Sequence, residues 1–330
     1  MKDNNSIGGF FELELPATVK EYHSDASRFN QARNALSAYL ETIDCKKVYL
    51  PAYCCASLAN SLNKHGVKYS FYNINEYFEP IKQPILNNGE HFLYVNYFGI
   101  KSQAIPPLLK KYGNKLIIDN SQSFFSKPSS QACNIYSARK FFGVPDGAYL
   151  YAPDHISIEA QLQPAQYSIQ HLIQRIEQGA ESSYLLYRES ESILKETGPA
   201  EMSLFSQRIL STIDYDKVLE KRRSNFNLLH YKLSNINLLT NIISDELNIY
   251  DQAVVPMVYP LVVESGDLLR KYLIDNKIFV AKYWKDVLSN ESRSDIEEFY
   301  TENLIPLPID QRYDAKQMLH IINMILSFYR

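Results

Sequence analysis

Three groups of residues in this sequence have the types and the spacing to do chemistry together. Asp119 ends an apolar run, Gln122 follows three residues later, and Ser137-Ala138-Arg139-Lys140 leads into Gly143 and Gly147. A lysine drawn into a partly buried, cation-rich pocket sheds its proton more readily, because desolvation and like charge both disfavour the ammonium, and the amine then becomes a nucleophile. A carboxylate in a water-poor site pairs with a cationic nitrogen. Taken singly, each residue has a plainer reading: Asp119 caps a turn, Lys140 is one solvated lysine among many, and Ser137 bonds its own backbone. The functional reading rests on their order along the chain.

Such groups need a scaffold, and the hydrophobic pattern predicts one. Apolar residues at helical spacing predict helices over 27–42, 56–64 and 106–112, and short apolar runs predict strands over 48–50, 67–72, 92–96 and 115–119. Strands alternating with helices mean crossover connections and a mainly parallel sheet covered on both faces. Ligands of such sheets lie beyond the C-terminal ends of the strands, which is where Asp119 falls. From 155 to 233 the pattern is helical and polar, broken at Gly179, at Gly198-Pro199 and around Asp214, with the most regular helix over 215–233. A smaller α+β portion follows, with strands over 254–263 and 278–280 and helices over 267–276 and 315–329.

Taken jointly, the acid-Gln pair and the Ser-x-x-Lys stretch resemble the DegT/DnrJ/EryC1/StrS sugar aminotransferase-like family of fold type I pyridoxal-phosphate enzymes. The resemblance runs from Ile7-Gly8-Gly9-Phe10-Phe11-Glu12-Leu13 through Arg33-Asn34-Ala35-Leu36, Leu50-Pro51-Ala52-Tyr53, Tyr97-Phe98-Gly99 and Ile118-Asp119-Asn120-Ser121-Gln122. It resumes at Lys221-Arg222-Arg223-Ser224-Asn225 and at Leu307-Pro308-Ile309-Asp310-Gln311-Arg312-Tyr313. It implies a mainly parallel, seven-stranded α/β sheet flanked by helices in a large domain over 1–220, and a smaller α+β domain over 221–330.

It also implies pyridoxal 5'-phosphate, held by Lys140 as a Schiff base. Asp119 would pair with the ring nitrogen, which must stay protonated for the ring to act as an electron sink. Gln122 would bond the ring hydroxyl. Ser137 and the first-turn amides at Gln31, Ala32 and Arg33 would hold the phosphate, and Tyr53 would cover the ring face, Cys55 being the alternative stacking position. The implied reaction moves an amino group from an amino acid, glutamate foremost, to a nucleotide-linked keto-sugar, with Lys140 shuttling the proton and ping-pong kinetics. A homodimer is implied, with Arg222 or Asn225 reaching across to a phosphate. Two departures stand out: Arg33 occupies a turn where the family commonly has Ser-Gly-Thr, and Val144-Pro145-Asp146-Gly147 replaces a glycine-rich turn, predicting a stiffer loop after Lys140.

Composition excludes other classes. A formal charge of -3 gives no broad basic field to hold nucleic acid. No apolar run reaches the roughly 18 residues of a membrane span, and Met1-Lys2-Asp3-Asn4-Asn5 does not open a secretory signal, so a cytoplasmic protein is predicted. Cys45, Cys54, Cys55 and Cys133 lack C-x-x-C spacing and the histidines are scattered, predicting free thiols and no metal. Two rivals stay open: a sugar dehydratase-like relative, in which His replaces the lysine, and a catalytically inactive family member acting as a regulatory or interaction subunit, to which the altered turn at Arg33 points.

Overall fold

The computed structural model describes residues 10, 11, 13–15, 19–154, 156, 157, 166–249 and 254–330. Ile7-Gly8-Gly9 and Glu12 of the resemblance lie outside them. Seven strands form one sheet: β1 (Ser27–Phe29), β2 (Lys47–Pro51), β3 (Lys68–Tyr72), β4 (Glu90–Val95), β5 (Leu116–Asn120), β6 (Cys133–Ser137) and β7 (Ala148–Tyr151), in the order β1-β7-β6-β5-β4-β2-β3. Strands β2 to β6 pair in parallel, whereas β7 is antiparallel to both β6 and β1. β7 is therefore the one reversed strand, and β1 points the same way as β6. Every residue of β5 and β6 is buried, as a sheet covered on both faces requires.

That direction of β1 matters for the site. Helix α1 (Ala32–Thr42) follows β1 directly, so its N-terminus sits on the same sheet edge as the C-terminal ends of β2 to β6. Helix α1 packs on β6 and β7, α2 (Ala56–Lys64) on β3, and α3 (Ile105–Tyr112) on β5. The helix expected over 27–42 is thus a strand and then a helix. Residues 27–29 take the backbone partners that the reversed strand β7 offers them, and helical periodicity starts only at Ala32.

After β7 come four helices, α4 (Gln170–Gln178), α5 (Tyr184–Glu196), α6 (Leu204–Leu210) and α7 (Tyr215–Leu233), then α8 (Thr240–Ile249). Helix α7 is continuous, so a division at 220/221 falls inside it. The chain ends in an antiparallel pair, β8 (Val258–Val262) with β9 (Leu304–Pro308), among α9 (Gly266–Asp275), α10 (Asp295–Asn303) and α11 (Ala315–Phe328). The strand expected over 278–280 is absent. Lys277 turns left-handed at φ 63° and the Ile278 amide closes α9 by donating to Leu273 O at 2.8 Å, so the backbone there terminates a helix and pairs with no strand among the described residues.

Two contacts fasten this portion. At Gly266 an added Cβ would overlap the Asn303 backbone, so α9 starts in direct contact with the end of α10. Glu297, on α10 and fully buried, accepts from the Ile74 amide at 2.9 Å, from Asn73 Nδ2 at 2.9 Å and from the Ser294 amide at 2.8 Å. It ties α10 to the chain just beyond β3. Glu297→Ala strands the Ile74 and Ser294 amides and leaves Asn73 Nδ2 only its bond to the Ser292 carbonyl at 2.6 Å, and should lower stability by about 2–4 kcal/mol. Urea unfolding would read this directly, and a loss under ~0.5 kcal/mol would show that the joint is dispensable.

Candidate functional site

The edge where β4, β5 and β6 end carries the residues singled out above. Asp119 is the fourth residue of β5, pairs in register with Val95 on β4 and Ile135 on β6, and is 9% exposed. Its Oδ1 accepts from the Ser121 amide at 2.8 Å, because the chain turns sharply as it leaves the strand. Lys140 closes a single 3-10 turn (Ala138–Lys140) that follows β6. It is exposed, and its Nζ donates to Ser121 Oγ at 2.9 Å. The carboxylate and the amine therefore converge on one residue, Ser121, from adjacent parallel strands.

Gln122 is buried, and its Oε1 accepts from the Phe98 amide at 2.8 Å. That bond anchors it to a strained turn. Phe98 is left-handed at φ 57°, and at Gly99, φ 75°, a Cβ would sit 2.7 Å from the Gln122 carbonyl and 3.1 Å from that of Val255. Beneath the turn lies a buried polar network. Asn96 Nδ2 donates to Asn120 Oδ1 at 3.0 Å and to Ser102 Oγ at 3.1 Å, fixing the ends of β4 and β5 relative to each other.

On the same edge, α1 opens with Gln31 extended at φ -149° and no side-chain cap. The amides of Gln31, Ala32 and Arg33 have no hydrogen-bond acceptor among the described residues. With no acid in the first turn, this is a helix N-terminus prepared for an anion. Gln31 Nε2, Asn30 Nδ2 and Asn34 Nδ2 hold the loop around it by donating to the carbonyls of Leu194 at 2.6 Å, of Gly198 at 3.1 Å, and of Thr197 and Gly198 at 3.1 and 2.8 Å. Arg33 is half-buried. Burial lowers its pKa, Cys55 and Glu191 pull it back up, and Arg139 lowers it. Arg139 is ion-paired with Glu191 of α5, so two guanidinium groups and one carboxylate flank the turn that carries Lys140.

No family model matches this chain, and no curated protein matches it. Solved structures do. DesV from S. venezuelae, solved in complex with a ketimine intermediate, is 14% identical and aligns over 92% of this chain and 84% of its own at a TM-score of 0.62. PseC from Helicobacter pylori, an aminotransferase involved in the biosynthesis of pseudoaminic acid, is 13% identical over 91% and 85% at 0.60. A DegT DnrJ EryC1 StrS aminotransferase from Brucella abortus is 14% identical over 92% and 85% at 0.62. The chain has the fold of these aminotransferases.

Within this aminotransferase fold the expected residues divide. Lys140 and Asp119 both bond Ser121, Gln122 follows Ser121 in the chain and bonds the Phe98 amide, and Ser137 ends β6 with no side-chain cap bond. The structure does not bring Tyr53 to them. Its ring is fully buried among Tyr97, Phe78, Tyr300 and Trp284, 4.7 Å edge-on from the last, and desolvation pushes its hydroxyl well above the ordinary tyrosine value. The apolar cluster beyond β2 takes that side chain inward, whereas Cys55, two residues on at the start of α2, is exposed.

Arg222 and Asn225, expected to reach across to a phosphate, are found bonded inside the chain. Arg222 is 1% exposed. It donates to the carbonyls of Met257 at 3.1 Å, Phe141 at 3.4 Å and Pro256 at 3.5 Å, lies over the Phe141 ring, and has its pKa lowered to about 10 by burial. Asn225 spans the carbonyls of Ile309 at 3.1 Å and Tyr313 at 3.0 Å. Both side chains are bonded to backbone carbonyls within the chain.

Their role shows what the sequence reading missed. The Phe141 carbonyl, one residue past Lys140, accepts from Arg222 and also from Gln311 Nε2 at 2.8 Å. Further along the same loop, the fully buried Asp146 accepts from the Ser203 amide at 2.8 Å, from Ser203 Oγ at 2.6 Å and from Ser206 Oγ. It thereby holds Ser203, the residue that caps α6 by accepting from the Ser206 amide at 3.1 Å, and fastens the loop from its far end. The stiff loop expected from Pro145-Asp146 has a concrete anchor.

Proposed function

We propose that this protein is a pyridoxal-phosphate-dependent aminotransferase that moves an amino group from glutamate to a nucleotide-linked keto-sugar. The observation that carries the reading is the convergence of Lys140 and Asp119 on Ser121 at the C-terminal edge of the sheet. The residues around them fit the cofactor. Asp119 Oδ2 and Gln122 Nε2 have no partner among the described residues and can meet a ring nitrogen and a ring hydroxyl. The three amides opening α1, with the Ser137 hydroxyl, suit a phosphate.

When bound, the cofactor supplies an electron-withdrawing ring and a carbonyl carbon open to an amine. The chain supplies the rest. Asp119, buried at the strand end, would pair with the ring nitrogen and favour its protonated form. Lys140 would hold the cofactor covalently, and its amine, once released, would take a proton from the donor carbon and return it on the other side of the exchange. Arg33 adds positive charge beside the phosphate. Ping-pong kinetics and a homodimer belong to this reading. Retention of Lys140 favours amino transfer over the dehydratase alternative, in which a histidine stands at that position.

The test uses the holoprotein. Adding glutamate without an acceptor should convert the visible absorption band to one near the ultraviolet, with one 2-oxoglutarate released per site. A spectrum that does not move with any common amino donor would sink the reading.

A further inference from the structure

The amine of Lys140 is exposed on a side chain with four rotatable bonds, which by itself would leave it spread over many rotamers. It is instead fixed at both ends. The backbone behind it is held through the Phe141 carbonyl by Gln311 and Arg222. The amine itself is docked on Ser121 Oγ at 2.9 Å. Ser121 is 5% exposed, and its own amide is held by Asp119 Oδ1 at 2.8 Å, so the dock is built onto the carboxylate that faces the ring. A hydroxyl accepts from an ammonium and donates to a neutral amine, and Ser121 can therefore hold Lys140 in either protonation state.

We infer that Ser121 is a positioning residue that parks the Lys140 amine, aimed at the reacting carbon, whenever it is not bonded to the cofactor. This rests on the function proposed above. In covalent capture the amine nitrogen bonds the aldehyde carbon of pyridoxal phosphate and the carbonyl oxygen leaves as water. The dock shortens the search that precedes this step, and it gives the freed amine a fixed station between the two halves of the amino exchange.

Apoprotein of the wild type, Ser121→Ala and Ser121→Thr is compared in two ways. Mixed with pyridoxal phosphate in a stopped-flow cell, Ser121→Ala should build its visible band about 3- to 10-fold more slowly, the equivalent of one hydrogen bond, and Ser121→Thr should restore the rate. Reductive methylation of the same apoproteins, read by peptide mass spectrometry, should run the opposite way at Lys140. An undocked amine labels about 3-fold faster with a small reagent that needs no aim. The paired result, slower capture with faster labelling and unchanged Tm, is what parking demands. Equal labelling of Lys140 in wild type and Ser121→Ala overturns the inference, as does a threonine variant as slow as the alanine. If wild-type apoprotein captures no cofactor, the proposed function fails, and the labelling comparison still decides whether Ser121 holds the amine.

Discussion

Replacing Lys140 by alanine should lower amino transfer by about 10⁴-fold while leaving the protein as stable as before, since both the covalent anchor and the proton carrier are lost together. The side chain is exposed and its one hydrogen bond, to Ser121, is peripheral to the core, so thermal unfolding should shift little. The variant should still bind pyridoxal phosphate through the α1 amides and Asp119, but without a band that borohydride fixes to the chain. Peptide mapping of the reduced wild type should find the label on Lys140. Full activity in the variant, or label on any other lysine, would end the assignment.

The second large effect is expected at Asp119. Asparagine keeps the shape, and its Oδ1 can still accept the Ser121 amide that now bonds the carboxylate at 2.8 Å. Only the charge goes. A ring nitrogen without a carboxylate partner loses its proton in a water-poor site, and withdrawal of electrons from the donor carbon weakens with it. The rate should fall by about 10²- to 10³-fold, comparable with removing one fixed electrostatic group from other active sites. The donor KM should move far less than kcat, because the lost interaction strengthens during reaction. A variant with normal kcat would show that Asp119 merely ends its strand.

Much of the fold was legible in the sequence. The helices over 56–64 and 215–233 fall where expected, as α2 and α7, because their apolar residues recur at helical spacing and each has a clear stop. That Asp119 and Lys140 share one sheet edge was legible, since parallel strands deliver their C-terminal residues there whatever lies between them. What escaped detection depends on partners distant in sequence. Ser27-Arg28-Phe29 is a strand only because β7 lies beside it, 120 residues on. Tyr53 resembled a platform in its local turn, yet its ring is surrounded by residues as distant as Trp284 and Tyr300. Arg222 was expected to reach across a homodimer to a phosphate. Only the carbonyls of Phe141, Pro256 and Met257 reveal it as an internal strut.

The backbone-to-backbone contact where α9 meets Asn303 leaves no room for even a methyl group. A saturation library at position 266, selected for folded protein, should return a single residue out of twenty, and natural variants of this chain should be monomorphic there although the site touches no chemistry at all.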